Sequence, residues 1–457
     1  MDYELISFDD PSSFTITLED ELSGGWKDFE AGIRKEVFGQ ERAIQKVIRS
    51  IMYIDSGLHN IDNGPPPPLF FAGPSGVGKT LLAKVVARMW LGIPSTGENE
   101  PLIHIAGENY NKSHSGASLI GAPPGYVGHG ATESPLKDIG KFDERATRKN
   151  IWYIAKRWMR EKISAKDQKS VIGKVLKDRI KIIAEKKLED MRPFRSALLI
   201  DEMEKMHPEV QRQLLGILND GFLRLNTGEE IDFRRTLIMF TSNIGTDKVA
   251  RILDGNQVGF QPVRIEKHSD TDQEIYEIIR DEVKNYLDPA LYSRIGHEGV
   301  VVFHALSSEN YHNIIDKELL DLHNTIIGNS SIGGVFQLTT TPEFYDFILG
   351  KADAASEGAR QITRLIDKYV RQSLAKYIAS GEVYNGDIIK LIVEENPTGK
   401  SSIVFKRASR PSDLDSYPLG GSSKDILEED IVSQLDRILP NIDRYVEEEI
   451  IKSEEEE

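Results

Sequence analysis

Short and almost uninterrupted apolar runs recur along the chain, each four or five residues long and each followed by a polar or glycine-rich break. They are LFFAG (Leu69–Gly73), LIHIA from Leu102, ALLID ending at Asp201, TLIMF from Thr236 and VVVF from Val300. Runs this short and this apolar predict strands buried on both faces, as in a parallel sheet covered by helices. The segment after the first run, KTLLAKVVARMW, has the apolar spacing of a helix. Nearer the C-terminus, DIIKLIV and SSIVF predict two further strands of a smaller α+β unit.

Two other segments show helical spacing. IWYIAKRWMREKI and VIGKVLKDRIKIIAEKKLEDM, within residues 141–191, carry apolar residues at i, i+3, i+4 and predict a helical hairpin. After a flexible stretch at PSDLDSYPLGGSS, the residues Ile426, Ile431, Leu435, Ile438, Ile442 and Val446 form a helical stripe interrupted by Pro440. The terminal SEEEE predicts disorder.

Charge divides these segments. The 457 residues carry a formal net charge of −16, yet residues 141–190 hold 16 Lys and Arg against 8 Asp and Glu. Residues 411–457 hold 4 basic against 15 acidic residues. Basic residues interleaved with Trp152, Tyr153 and Trp158 suit a nucleic-acid surface, whereas the overall acidity opposes one. A solvated helical pair whose aromatics form its seam is the plainer reading of the insertion, with a dock for a substrate or adaptor as a third. Hydrophobic residues make up 39%, no apolar run is long enough to span a bilayer, and no secretory signal stands at Met1, so a soluble cytoplasmic protein is expected. The absence of cysteine excludes disulfides and thiolate chemistry.

The first apolar run leads into the most specific chemistry. Gly73, Pro74, Ser75, Gly76, Val77, Gly78, Lys79 and Thr80 satisfy G-x-x-x-x-G-K-[ST] between a strand and a helix. Glycines let the backbone wrap phosphate oxygens at a helix N-terminus, Lys79 offers charge to the β- and γ-phosphates, and Thr80 offers a hydroxyl to Mg²⁺. A similar TGKS at Thr398–Ser401 has Glu394 where the first glycine belongs and predicts only a turn. ALLID supplies Asp201 for the metal and Glu202 to polarise water, and TLIMFTSN ends at Asn243, which can orient the same water. The expected reaction is MgATP hydrolysis.

The order VFGQERAIQKVIRSI, GPSGVGKT, LIGAPPGYVG, DEMEKMHPEVQRQLLGILNDG, IDFRRTLIMFTSNIG, GARQITRLIDKYV resembles that of the Clp/Hsp100 AAA+ ATPases, over most of residues 15–408. The resemblance is to the second ATPase module of ClpA, ClpB and ClpC. It implies an AAA+ P-loop NTPase domain at 35–306 and a small α+β lid domain at 307–408, with 1–34 as a lead-in and 409–457 as an acidic helical tail. It implies that Arg294 is an arginine finger acting on a neighbouring subunit, Arg360 a sensor on the lid, and Val37 and Phe38 the adenine pocket. Such a finger implies a head-to-tail ring, homo-hexameric in this family. Tyr126 and Val127 would line its channel and grip unfolded or tagged proteins, with the flanking glycines letting the loop move. Val258, Gly259 and Phe260 lie where relatives dock a ClpP-type peptidase, although Phe260 can equally anchor its own loop. The implied function is an ATP-driven protein unfoldase or translocase. A nucleic-acid motor or loader using the insertion is the alternative, and a scaffold that uses ATP only to assemble is opposed by Glu202, Asn243 and Arg294. Ser293 and Gly296 depart from the family's Asn-Arg-Ile-Asp, Phe222 replaces an arginine, and about fifty residues are inserted before the ALLID strand.

Overall fold

A computed structural model describes residues 25–409, except for 60–63, 93–99, 121–133, most of 150–190, 247, 250–268, 329–335, 353–357, 385 and 396–400. The chain divides into two units, Met1–Asn310 and Tyr311–Glu457.

In the first unit, strands β1 (Leu69–Ala72), β2 (Leu102–Ala106), β3 (Ser196–Asp201), β6 (Thr236–Ser242) and β7 (Val300–Val302) form one sheet in the order β2-β3-β6-β1-β7. Every pairing in it is parallel. The apolar runs are continuous because both faces are buried, and successive residues serve opposite cores. Phe70, Ile105, Leu198, Ile200, Ile238, Phe240 and Val302 face one core. Leu69, Phe71, Leu199, Leu237, Met239 and Val301 face the other. A short hairpin, β4 (Phe222–Arg224) with β5 (Glu230–Asp232), stands outside this sheet.

Helix α2 (Glu41–Asp55) buries Ala43, Ile44, Val47, Ile48, Ile51 and Ile54, a stripe at three- and four-residue spacing. Helix α3 (Lys79–Leu91) starts behind Gly78 and ends at Gly92, both left-handed, with the Gly92 N–H on the carbonyls of Arg88 and Met89. Within the lead-in, residues Gly25–Arg34 form a helix, α1, which buries Ile33 and packs Trp26 and Phe29, at i, i+3 and i+7 spacing, on the second core.

Most of the insertion lies outside the described residues, but its neck does not. A helix over 141–149 carries Phe142 onto both cores. Buried Asp143 accepts from the Arg195 N–H at 2.9 Å and from its guanidinium at 3.0 Å. That guanidinium also stacks over Trp90, at the end of α3, whose indole N–H donates to Asp55 at 3.0 Å. Arg148 bridges Glu144 and Glu185. Asp143→Ala strands the Arg195 N–H and leaves the guanidinium only Asp55 and Trp90, and it should cost about 2 kcal/mol. Asp143→Asn, which keeps an acceptor for the N–H, should recover about half of that in a denaturant titration.

The second unit is an α+β layer. Strands β8 (Gln337–Thr340), β9 (Ile388–Glu395) and β10 (Ser401–Ser409) lie in the order β10-β9-β8, with β9 and β10 antiparallel and β8 parallel to β9. Phe336, Phe344, Ile348, Ile362, Ile366, Val370 and Ile389 are buried within it. The tail after residue 409 lies outside the described residues. Among the described residues no helix is long and apolar enough to cross a membrane.

Candidate functional site

The sheet order puts the C-terminal ends of β3, β6 and β1 side by side, where open parallel sheets bind ligands. The loop from Gly73 to Gly78 leaves β1 there. Gly73 has φ 153°, and a Cβ on it would stand 2.5 Å from the Phe303 carbonyl oxygen, so no other residue fits. Gly76 and Gly78 are left-handed, and Gly78 opens α3 without any side-chain cap. The helix therefore presents its first N–H groups at the loop, which suits phosphate.

Buried Lys79 directs its ammonium to the carbonyls of Gly73 at 2.6 Å and Pro74 at 2.7 Å, and to Asn243 Oδ1 at 2.9 Å. The Asn243 N–H donates to Glu204 Oε1 at 3.1 Å. Thr80 donates to the Asp201 carboxylate at 3.1 Å. Thr241, from β6, donates to Asp201 Oδ1 and accepts the Glu202 N–H at 2.9 Å. His104, from β2, places Nε2 3.1 Å from Asp201 Oδ2. Burial works to raise the Asp201 pKa, but the hydrogen bonds from His104, Thr241 and Thr80 win and hold it at about 2. Asp201 is thus a carboxylate at any ordinary pH.

Glu202 is the one non-glycine among the described residues with positive φ, at 53°. Such a conformation costs on the order of 1–3 kcal/mol and is held by its surroundings, here by Thr241. Its carboxylate takes the Lys205 ammonium at 2.6 Å. Val37 is buried, with Cγ1 3.9 Å from where a Gly78 Cβ would lie, and Phe38 is half-buried. Gln40, beside them, is buried and hydrogen-bonds His304 at both ends of its amide.

The predicted residues Lys79, Thr80, Asp201 and Asn243 are therefore joined by hydrogen bonds, with Glu202 beside them. Arg294 is exposed on the helix Pro289–Gly299 and has no hydrogen bond or ion pair among the described residues. That helix breaks at Gly296, whose φ 69° and ψ 165° account for glycine where the family has aspartate. Arg360 belongs to the second unit, exposed in the first turn of the helix Ala359–Ile366. Tyr126, Val127, Val258, Gly259 and Phe260 lie outside the described residues. Sequence reasoning missed His104, Thr241, Gln40 and Lys205. His104 left a trace as a polar residue inside an apolar run and Thr241 as one at the end of a run, while Gln40 and Lys205 lie within the VFGQ and DEMEK stretches.

The donor set fits a polyphosphate with a hard divalent cation: uncapped helix N–H groups and Lys79 for phosphate, the Thr80 hydroxyl and the Asp201 carboxylate for the ion. Among the described residues no group of three or more His, Asp and Glu makes a cage for a metal, so a cation here would share its coordination with the ligand.

Two family models match in succession. The AAA domain (Cdc48 subfamily) covers residues 154–297, and the C-terminal, D2-small domain, of ClpB protein covers 306–391. The first match takes in Asp201, Glu202, Asn243 and Arg294, and it begins after the Gly73–Thr80 loop. Among curated proteins, the chloroplastic chaperone protein ClpC of Pisum sativum is 28% identical over 407 residues, 88% of this chain and 37% of that protein. The chloroplastic chaperone protein ClpC1 of Arabidopsis thaliana is 27% identical, over 84% of this chain and 34% of that protein. The ATP-dependent Clp protease ATP-binding subunit ClpA homolog of Cyanidium caldarium is 27% identical, over 80% and 35%. The chain spans little more than a third of the length of these relatives. A five-stranded parallel sheet followed by a small α+β unit, the two models in succession and these relatives agree: the chain resembles the Clp/Hsp100-type AAA+ ATPases, and within them the second ATPase module.

Proposed function

We propose that this chain hydrolyses MgATP and uses the energy to unfold and thread polypeptides through a homo-hexameric ring. The observation that supports this most directly is the hydrogen-bonded set Lys79, Thr80, Asp201 and Asn243, with Glu202 next in the chain. Gly73–Thr80 is the Walker A loop, its backbone and Lys79 cradling phosphate while Val37 and Phe38 take the adenine. Thr80 and Asp201 hold Mg²⁺, which when bound neutralises charge on the phosphates. Glu202 accepts the proton of the attacking water, and Asn243 orients that water. Arg294, exposed and without polar partners among the described residues, reaches a neighbouring subunit's nucleotide, and Arg360 acts from the lid.

The large domain occupies residues 35–306 with α1 packed on it, the lid 307–408, and an acidic tail 409–457. Tyr126 and Val127 grip the threaded chain, an assignment that rests on their sequence position. Val258, Gly259 and Phe260 dock a ClpP-type peptidase on the same footing, and the setting is cytoplasmic.

The test is Tyr126→Ala. Unfolding of a tagged globular protein should fall about tenfold or more, as when an aromatic anchor is removed. The ATPase rate should stay within about twofold, since Tyr126 takes no part in the chemistry. Unfolding that survives removes the tyrosine from the mechanism. ATPase stimulation by DNA or RNA and not by protein would instead support a nucleic-acid loader.

A further inference from the structure

His104 has no packing reason to be where it is. It lies in a strand whose neighbours Ile103 and Ile105 are buried, yet it is exposed. The parallel register sets His104 beside Leu199, while Ala106 is the residue opposite Asp201. Its ring therefore reaches about two residues along the strand, ~6.6 Å, to place Nε2 at the Asp201 carboxylate.

That carboxylate is held from three directions. Thr80 reaches it from the start of α3. Thr241 reaches Oδ1 from β6, the neighbour of β3 on one side. His104 reaches Oδ2 from β2, the neighbour on the other side. Thr241 binds Oδ1 and the Thr80 hydroxyl is shared between both oxygens, so His104 supplies the contact that belongs to Oδ2 alone. Without the imidazole, that oxygen keeps only its share of Thr80.

We infer that His104 is a positioning residue: it fixes the Asp201 carboxylate so that Asp201 and Thr80 meet the metal–nucleotide complex as a pre-set pair. This rests on the assignment of Asp201 and Thr80 to the metal. Outer groups that orient a metal-binding carboxylate are worth about 10–100-fold in metal affinity. His104 would thus act on the coupling between metal and nucleotide and leave the binding of nucleotide itself alone.

The experiment uses the full chain, a fluorescent ADP analogue, and His104→Ala beside His104→Gln, which keeps an N–H donor. Because the ring is exposed, both variants should melt with the wild type. In EDTA, analogue affinity should stay within about twofold of wild type, while the Mg²⁺ concentration for half-maximal tightening should rise about tenfold in His104→Ala. The Gln variant should recover much of that loss. An unchanged Mg²⁺ requirement in His104→Ala overturns the inference, as does an equal loss of affinity in EDTA, which would mark a structural role. If wild type binds the analogue with no Mg²⁺ dependence, the assignment of Asp201 and Thr80 is what fails. Mn²⁺ electron paramagnetic resonance with ADP checks the coupling without turnover, and the sharp six-line signal of free Mn²⁺ should grow in His104→Ala at the expense of the broadened bound signal.

Discussion

Replacing Glu202 by glutamine will leave nucleotide binding intact and lower the ATPase rate by about 10²–10⁴-fold, the range attributed to a positioned general base. The substitution is isosteric, and the Glu202 N–H keeps its bond to Thr241, so the left-handed backbone has no reason to relax. The amide oxygen can still accept from Lys205, so the local packing is preserved while the capacity to take a proton is lost. Single-turnover hydrolysis and binding of the fluorescent analogue, measured on one preparation, separate the two effects. A rate within about tenfold of wild type would move the base elsewhere, because losing a proton acceptor cannot cost so little. In wild type the Lys205 ammonium engages only Oε2 of Glu202, so it is no part of the proton transfer proposed for that carboxylate. Lys205→Ala should therefore never lower the chemical step as Glu202→Gln does.

Arg294→Ala should cost about 10³-fold or more in ATP turnover, the scale set by arginine fingers in related chemistry. Its melting temperature should not change, since the side chain is exposed and has no polar partner among the described residues. The sharper outcome comes from mixing. On the proposed assignments, Glu202→Gln subunits lack the base and Arg294→Ala subunits lack the finger. If the finger acts on a neighbour, an assembly of both contains interfaces where an intact Glu202 meets an intact Arg294. Turnover should then reappear in the mixture, in proportion to such interfaces. Confirmed co-assembly with no recovery would show that Arg294 serves its own nucleotide or none.

Much of the engine was legible because its strands are buried on both faces, a condition that writes itself as uninterrupted apolar runs. The Gly73–Thr80 loop was legible for a different reason: backbone approach and left-handed φ admit so few residues that the glycines stand out. What escaped were groups whose role depends on neighbours distant in sequence. His104 and Asp201 are 97 residues apart, and only the β2–β3 pairing brings them together. Thr241 looked like the polar end of a strand until its two hydrogen bonds were seen. The first helix carries Trp26, Phe29 and Ile33 at helical spacing, but ten residues with no motif beside them point to no role. Gly296 is the reverse case, a departure from the family that seemed a loss and proves to be a helix break.

Asp143 and Arg195 are 52 residues apart in the chain and within hydrogen-bond distance in space. Whatever lies between them leaves and re-enters the domain through one closed gate. Lengthening a segment so fastened costs only the logarithm of its length, about 0.6 kcal/mol for each doubling. A change of length between these two residues should therefore cost the sheet little stability.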